Sequence, residues 1–199
     1  MPPLFAHNPL ALGAWVTGLL TWRVLELHAD IRTRQRLRAG IRRQDKGSRM
    51  VLLCLIVCGT LIGVLLALKV PATTITTAPA ILVWLGILLL YAGIALRFSA
   101  MVALGSYFTT TVAVAPEQPV IDVGPYRRIR HPAYTGLLLI LLGFGLGLLN
   151  WLSLLVVMGS ALIGCGYRIW VEEDALQEQL GHGYQEYMRR TKRIIPFVL

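Results

Sequence analysis

Long uncharged runs, separated by short polar or charged segments, dominate the chain. The first runs from Pro9 to about Leu27, with two charges near its end, the second from Met50 to Leu68, and the third from near Pro79 to about Leu104. Each run is close to the roughly 20 residues that an α-helix needs to cross the hydrocarbon core of a bilayer. The pattern therefore predicts three membrane-spanning helices, which together with a basic loop make up residues 1–104.

A fourth apolar block, from Ala133 to Tyr167, contains 35 residues and no charge. It is too long for one span, so we predict a tight hairpin of two helices that breaks at Leu149-Asn150-Trp151, the first helix being rather short. Gly143 and Gly147 lie on one helix face, with Gly145 between them. Small residues at this spacing let two helices approach closely, which suits the two helices of a hairpin.

The segments between the apolar runs carry the charges and several prolines. Ile31 to Arg49 has eight Arg or Lys and one Asp, a composition typical of a solvated basic loop or an interfacial helix. Gly105 to Val123 is predicted to be a loop, because Pro116 and Pro119 exclude a continuous helix.

The predicted fold is all-α: a polytopic integral membrane protein with about five transmembrane helices, a C-terminal helical hairpin and a cytoplasmic amphipathic tail. The tail starts at Arg168 and is expected to break at the Gly-His-Gly of 181–183. Lys and Arg concentrate after the first span, before the hairpin and in the tail, whereas the opposite loops contain only Lys69. Since basic residues favour the cytoplasmic side, we expect the N-terminus outside and the C-terminus in the cytoplasm. Residues 105–199 would form the catalytic half of one integrated domain.

Composition supports a membrane protein. The chain is 56% hydrophobic and 15% charged, with a mean hydropathy of +0.65. Its net charge of +9 could serve nucleic-acid binding, but in so apolar a chain it is more typical of cytoplasmic anchors attracted to anionic lipid. We therefore expect the lipid bilayer as a partner, no nucleic acid and no metal site.

Polar residues capable of chemistry flank both ends of the predicted hairpin. Before it, residues 124–137 read GPYRRIRHPAYTGL, and after it come Arg168, Glu172 and Glu173. A hairpin brings its two ends together, so residues far apart in the sequence can form one pocket. The candidates on the first side are Tyr126, Arg130, His131 and Tyr134.

Residue types alone leave plainer interpretations open. Arg168 and Glu172 stand four positions apart and could be a surface ion pair of little energy. The Arg-His-Pro of 130–132 could simply start a helix, since Pro favours the first turn. Arg97 interrupts the third span and lies either near the membrane boundary or in a polar cavity, where a charge is a functional candidate.

Five motifs, in order and at compatible spacing, resemble the isoprenylcysteine carboxyl methyltransferase family, a group of integral-membrane methyltransferases related to the phospholipid methyltransferases. The motifs are LGSYFT at 104–109, GPYRRIRHPAYTG at 124–136, RIWVEEDAL at 168–176, LGHGYQEY at 180–187 and RIIP at 193–196. The resemblance covers roughly residues 96–196, and the first two spans contribute only topology.

The resemblance implies that the chain binds S-adenosylmethionine, which becomes S-adenosylhomocysteine on methyl transfer, in a pocket of the C-terminal half at the cytoplasmic face. It also implies that Arg168 is the catalytic residue that binds the substrate carboxylate. The implied cofactor-binding residues are Gln118, Val120, Ile121, Tyr126, His131, Pro132, Ala133, Tyr134 and Glu172.

The expected activity is methyl transfer to the carboxylate of a lipophilic acceptor, such as an S-prenylated cysteine, that enters laterally from the lipid. A carboxylate with a pKa of about 3.5 is ionised at neutral pH and needs no general base. The planar guanidinium of Arg168 is suited to binding both of its oxygens.

Other functions stay open at this point. The acceptor could be a phospholipid amine, a thiol or another amphiphile, and an amine would need a base such as His131 or Glu173. A related membrane reductase would use a nicotinamide cofactor on sterols. A non-catalytic membrane protein would use its basic loop to bind anionic lipid.

Overall fold

The computed structural model of the chain describes residues 8–38, 44–114 and 118–194, and its regular structure is helical. The described residues form five helices and three short 3₁₀ turns, so the prediction of an all-α chain is confirmed. Arg42, Arg43, Pro116 and Pro196, which entered the predictions above, lie outside the described residues. The helices are α1 (Pro9–Arg38), α2 (Ser48–Lys69), α3 (Pro79–Leu104), α4 (Pro132–Gly147) and α5 (Trp151–Arg190).

Four of these helices, α1, α2, α3 and α5, are long and apolar enough to cross a membrane. The 16 residues of α4 span about 24 Å at a rise of about 1.5 Å per residue, less than the hydrocarbon core of about 30 Å. The predicted short first helix of the hairpin is therefore confirmed, and of the about five predicted transmembrane helices four are long enough to span. The chain is a multi-pass membrane protein.

Two helices are longer than the sequence pattern suggested. The first was predicted to end near Leu27, but α1 continues to Arg38, because the residues that follow are mostly good helix formers. The second helix of the hairpin and the charged tail form one element, α5. The predicted break of the tail is a kink at Gly181, whose φ of 55° and ψ of −130° are accessible to glycine.

Glycines set the closest helix contact, which lies between α3 and α4. A Cβ atom on Gly93 would lie 2.5 Å from the carbonyl oxygen of Gly136, and one on Gly86 would lie 2.8 Å from that of Gly143. The expectation that Gly143 serves the close approach of the two hairpin helices is thus wrong, because Gly143 faces α3. Gly145 meets α5, because a Cβ atom there would lie 2.8 Å from Leu154 Cδ1.

The hairpin turns at Asn150, as predicted. Its side chain accepts a hydrogen bond from Ser153 N at 3.0 Å and so caps the N-terminus of α5. The same amide donates to Thr73 Oγ1 at 2.7 Å and to the carbonyl oxygen of Val70 at 3.2 Å. The turn is therefore tied to the segment that follows α2.

The remaining packing arranges the helices around the hairpin. α2 packs along α5, and α1 lies against α3. A buried apolar cluster joins α2, α4 and α5 through Leu52, Leu141 and Val157. Large apolar side chains on the outer faces, such as Leu61 and Leu155, are exposed, which is typical of a surface in contact with lipid.

Candidate active site

The two ends of the hairpin meet at the buried carboxylate of Glu173. Arg130 Nε donates a hydrogen bond to its Oε1 at 3.0 Å, and His131 Nε2 lies 3.2 Å from the same oxygen. Arg193 Nε donates to Oε2 at 3.0 Å. The predicted convergence of the polar groups at the two hairpin ends is confirmed, and Glu173 is fully engaged in holding them together.

Backbone hydrogen bonds lock the segment before α4 to the chain that follows α5. Arg130 N donates to the carbonyl oxygen of Lys192 at 2.7 Å, and His131 N donates to that of Arg193 at 3.0 Å. Arg130 Nη1 also donates to the carbonyl oxygen of Met188 at 3.0 Å. The backbone and side chain of Arg130 therefore hold the end of α5 against the start of α4.

A second polar network links Arg168 to Glu172. Arg168 Nε donates to Tyr134 Oη at 3.0 Å, and Tyr134 Oη donates to Glu172 Oε2 at 2.5 Å. On its other side the guanidinium forms an ion pair with Asp45, which precedes α2. The alternative of a surface ion pair between Arg168 and Glu172 is wrong, since Arg168 is only 3% exposed and reaches Glu172 through Tyr134.

Most hydrogen-bond donors of Arg168 are already in use. Nη1 donates to Asp45 Oδ1 and to Ser48 Oγ, the latter at 2.9 Å, and Nη2 donates to the carbonyl oxygen of Thr110 at 2.8 Å. With Nε bonded to Tyr134 Oη, four of the five N–H groups of a guanidinium have acceptors. Within the described part of the chain, one N–H on Nη2 is left for a substrate.

Asp45 is held as firmly as Arg168. Its side chain has no exposed surface, its Oδ1 accepts from Val112 N at 3.1 Å, and its Oδ2 accepts from Arg49 N at 3.2 Å. Burial by itself would raise the pKa of Asp45, but the hydrogen bonds from Val112 and Arg168 outweigh it and hold the pKa well below its usual range. Sequence reasoning missed Asp45, because a single Asp in a basic block gives no signal of its partner.

A cavity of about 320 Å³ lies beside these two networks. Of the residues that the resemblance assigned to the cofactor and the substrate, all line it except Pro132, which is buried at the first position of α4. The further candidate Glu173 does not line it. The cavity is not confined to residues 105–199, because α1 and α2 also contribute to its wall. The predicted residues that line it are Gln118, Val120, Ile121, Tyr126, His131, Ala133, Tyr134, Arg168 and Glu172.

Glu172 and Glu173, adjacent in the sequence, have opposite surroundings. Glu172 is half-buried, lines the cavity and accepts its hydrogen bond from Tyr134. Among the residues that the structure describes, no Arg, Lys or His forms an ion pair with Glu172, whereas three of them surround Glu173. Glu172 is therefore the carboxylate that a cationic ligand can reach.

Tyr126 supplies a fixed aromatic wall of the cavity. It is 6% exposed and packs against Ala100 and Ala133, and Tyr187 Oη donates to its carbonyl oxygen at 2.7 Å. Burial, together with the negative charge of Glu172, raises the pKa of the Tyr126 phenol well above its usual value. The phenol is therefore neutral at physiological pH.

Arg97 lines the cavity. Of its two predicted positions, the membrane boundary and a polar cavity, the structure supports the cavity. It pairs with Glu26 of α1, and its Nη1 donates to the carbonyl oxygen of Ala133 at 2.8 Å. Both Arg97 and Glu26 line the cavity. The sequence analysis did not identify Glu26 as the partner of Arg97. The position of Glu26 near the end of an apolar run was a signal that its charge could be paired.

Metal-ligating side chains do not cluster in the described ranges, where no group of three or more His, Cys, Asp or Glu residues could hold a metal ion. The donor set of the cavity consists instead of carboxylates, guanidinium groups and phenols. Such groups recognise charged organic ligands by hydrogen bonds and ion pairs.

Comparison with known proteins identifies the family that this arrangement resembles. Residues 84–178 match the model of the isoprenylcysteine carboxyl methyltransferase family, which confirms the resemblance predicted from the motifs. The chain is 30% identical over 115 residues to protein-S-isoprenylcysteine O-methyltransferase B of Arabidopsis thaliana, covering 57% of this chain and 58% of that relative. It is 31% identical over 105 residues to protein-S-isoprenylcysteine O-methyltransferase of Schizosaccharomyces pombe, covering 52% of this chain and 44% of that relative.

A solved structure shares the fold. It is that of the eukaryotic intramembrane Ras methyltransferase, an isoprenylcysteine carboxyl methyltransferase, with a TM-score of 0.59 and 23% sequence identity. The match covers 73% of this chain and 52% of that structure. The chain thus spans 44% to 58% of the length of these relatives.

Proposed function

Because residues 84–178 match the isoprenylcysteine carboxyl methyltransferase family, we propose that this chain is a membrane-embedded methyltransferase. It moves a methyl group from S-adenosylmethionine to the carboxylate of a lipophilic acceptor such as an S-prenylated cysteine. The observation that carries the proposal is the placement of Glu172 and Arg168 on one cavity wall, joined by Tyr134. One is a carboxylate suited to a cationic cofactor, and the other is a cation suited to an anionic acceptor.

The cavity fits S-adenosylmethionine in size and in chemistry. Its volume of about 320 Å³ lies at the lower end of the range of about 300–1,000 Å³ that is typical of small-molecule sites. Val120, Ile121 and the ring of Tyr126 provide apolar surface for an adenine ring, and Glu172 can accept a hydrogen bond from an ammonium or a ribose hydroxyl. When bound, this cofactor supplies a methyl group on a positively charged sulfur.

The side chains of this site act by alignment and by exclusion of water. An acceptor carboxylate is ionised at neutral pH, so no residue has to remove a proton before methyl transfer. Arg168 provides the positive charge and the remaining N–H of Nη2, so we expect one hydrogen bond to the acceptor and not the two-pronged contact that its residue type suggests. Holding the reacting groups in line in a buried cavity accounts for the catalysis required.

The surroundings of Glu173 disfavour an amine acceptor that would use Glu173 as its base. Glu173 accepts hydrogen bonds on both of its oxygens from Arg130 and Arg193, and His131 Nε2 lies against the same carboxylate. Glu173 cannot take a proton from an amine without breaking these contacts. An amine acceptor would therefore depend on Nδ1 of His131, whereas a carboxylate acceptor needs no base.

The proposed orientation has the C-terminus and the cofactor side of the cavity in the cytoplasm and the N-terminus outside. It is supported by the basic residues that flank the cavity, including those before α4 and in the last turn of α5. The cofactor then enters from the cytoplasm, and the apolar part of the acceptor enters from the lipid.

Binding of S-adenosylhomocysteine to the purified protein in detergent tests the cofactor. Glu172→Gln keeps a hydrogen-bond acceptor for Tyr134 but removes the negative charge. Because a hydrogen bond to a charged group contributes about 1.5–3 kcal/mol, we expect the affinity for S-adenosylhomocysteine to fall about tenfold or more. Asp174→Asn is the matched control, because Asp174 is exposed on the same helix and pairs with Lys46. Absence of binding by the unmodified protein would refute the proposal.

Transfer of labelled methyl groups tests the acceptor. With an S-farnesylcysteine analogue we expect a methyl ester, which releases its label in base, and Arg168→Gln should abolish this transfer while S-adenosylhomocysteine still binds. Base-stable label in membrane lipid would favour the amine acceptor. Equal loss of transfer and cofactor binding in Arg168→Gln would contradict the role given to Arg168.

A further inference from the structure

The pairing of Arg168 with Asp45 has a consequence for Glu172, the residue that the proposed function assigns to the cofactor. Arg168 and Glu172 are four residues apart on α5, a spacing at which opposite charges form an ion pair. Both lie within hydrogen-bond distance of the same atom, Tyr134 Oη, at 3.0 and 2.5 Å. A guanidinium this close to a carboxylate pairs with it unless other contacts hold it elsewhere.

Those other contacts come from the N-terminal half of the chain and from the loop before α4. Asp45 and Ser48 hold Nη1, and the carbonyl oxygen of Thr110 holds Nη2. Asp45 contributes the compensating charge, and its side chain is fixed by the backbone N–H groups of Val112 and Arg49. It is thus a built-in counter-ion that a ligand cannot easily displace.

We propose that Asp45 is a positioning residue for cofactor binding: it draws Arg168 away from Glu172 and so keeps the Glu172 carboxylate available to a cationic ligand. Asp45 does not line the cavity, and it acts through Arg168. The inference rests on the proposed function, because it assigns Glu172 to an S-adenosylmethionine-like cofactor. It also gives the segment before α2, which carries no family motif, a role in the site.

The test measures the affinity of the full-length protein in detergent for S-adenosylhomocysteine. In Asp45→Asn the counter-ion is lost and Arg168 turns to Glu172, so we expect the Kd to rise about tenfold, equivalent to about 1.4 kcal/mol. In the double variant Asp45→Asn/Arg168→Gln no guanidinium competes for Glu172. Its Kd should return to within about threefold of the unmodified protein.

Restoration by the second substitution separates positioning from a purely structural role. A protein weakened by loss of Asp45 as a structural element would not regain affinity when Arg168 is also removed. Unchanged affinity in Asp45→Asn, or a loss that Arg168→Gln does not restore, would overturn the inference. Failure of the unmodified protein to bind S-adenosylhomocysteine would overturn the proposed function instead, so the two results are distinguishable.

A second measurement leaves Asp45 in place and applies if Asp45→Asn does not fold. In the unmodified protein Asp45 already holds the guanidinium off Glu172, so removing the guanidinium in Arg168→Gln should leave the Kd for S-adenosylhomocysteine within about threefold of its original value. A Kd that falls about tenfold in Arg168→Gln would mean that Arg168 competes for Glu172 in spite of Asp45, and would contradict the inference.

Discussion

The ion pair between Arg97 and Glu26 allows a quantitative test of how α1 is held against the rest of the protein. The two side chains are 10% and 19% exposed, and removing one member of a buried pair typically costs about 3–5 kcal/mol. Because Glu26 keeps some exposure, we expect Arg97→Met to lower the free energy of unfolding by about 3 kcal/mol, near the lower end of that range. Glu26→Leu should cost a similar amount, since it leaves Arg97 without its counter-ion.

The double variant Arg97→Met/Glu26→Leu leaves no buried charge behind. Its remaining losses are the hydrogen bond from Arg97 Nη1 to the carbonyl oxygen of Ala133 and the one from Trp22 Nε1 to Glu26 Oε1, so the free energy of unfolding should fall by only about 1–3 kcal/mol. Each quantity is measured by denaturant unfolding in mixed micelles, followed by circular dichroism. If the loss in the double variant equals the sum of the losses in the two single variants, the reasoning is refuted. Such additivity would mean that the two side chains do not stabilise one another.

An exposed ion pair of the same chain is the matched control. Arg190 Nη2 lies 2.8 Å from Asp122 Oδ2, with side-chain exposures of 62% and 46%. Such pairs contribute about 0–1 kcal/mol because water and salt screen them. Arg190→Met should therefore change the free energy of unfolding by less than about 1 kcal/mol.

Two further predictions concern packing and pH. In Gly93→Ala the new methyl group would meet the carbonyl oxygen of Gly136, so α3 and α4 must separate and the free energy of unfolding should fall by about 1–3 kcal/mol. Gly166→Ala, with open space at its Cβ, should not destabilise the protein in the same assay. Since the pKa of Asp45 is held below its usual value, its contribution to stability is present above the unfolded pKa of about 3.9 and is lost as the pH falls through the lowered pKa. Acid should therefore destabilise the unmodified protein more steeply than Asp45→Asn, and equal acid sensitivity would contradict this.

The helices were predictable from the sequence because a membrane leaves the backbone few choices. Polar backbone groups in hydrocarbon must be bonded within their own segment, so a long apolar run indicates a helix whatever it packs against. The length of the fourth apolar block required a break, the residues 149–151 indicated its position, and the convergence of the hairpin ends followed from the break. The end of α1 was misjudged, because charge marks the membrane boundary and not the end of a helix.

The side-chain pairings could not be predicted in the same way. Glu172 and Glu173 are the same residue type at adjacent positions, yet one lines the cavity while the other is enclosed by Arg130, His131 and Arg193. A rotation of about 100° per residue around a helix separates them, and only the packing of α5 decides which one faces the cavity.

The sequence by itself therefore determined the helical class, the apolar helices and the hairpin, since these depend on local composition and spacing, while the resemblance to a known family indicated which residues lie near the site. The tertiary structure decided which charges are paired. Asp45 reaches Arg168 across 123 positions and Glu26 reaches Arg97 across 71. Contacts at such separations follow from how whole helices pack, which a local pattern of residues does not encode.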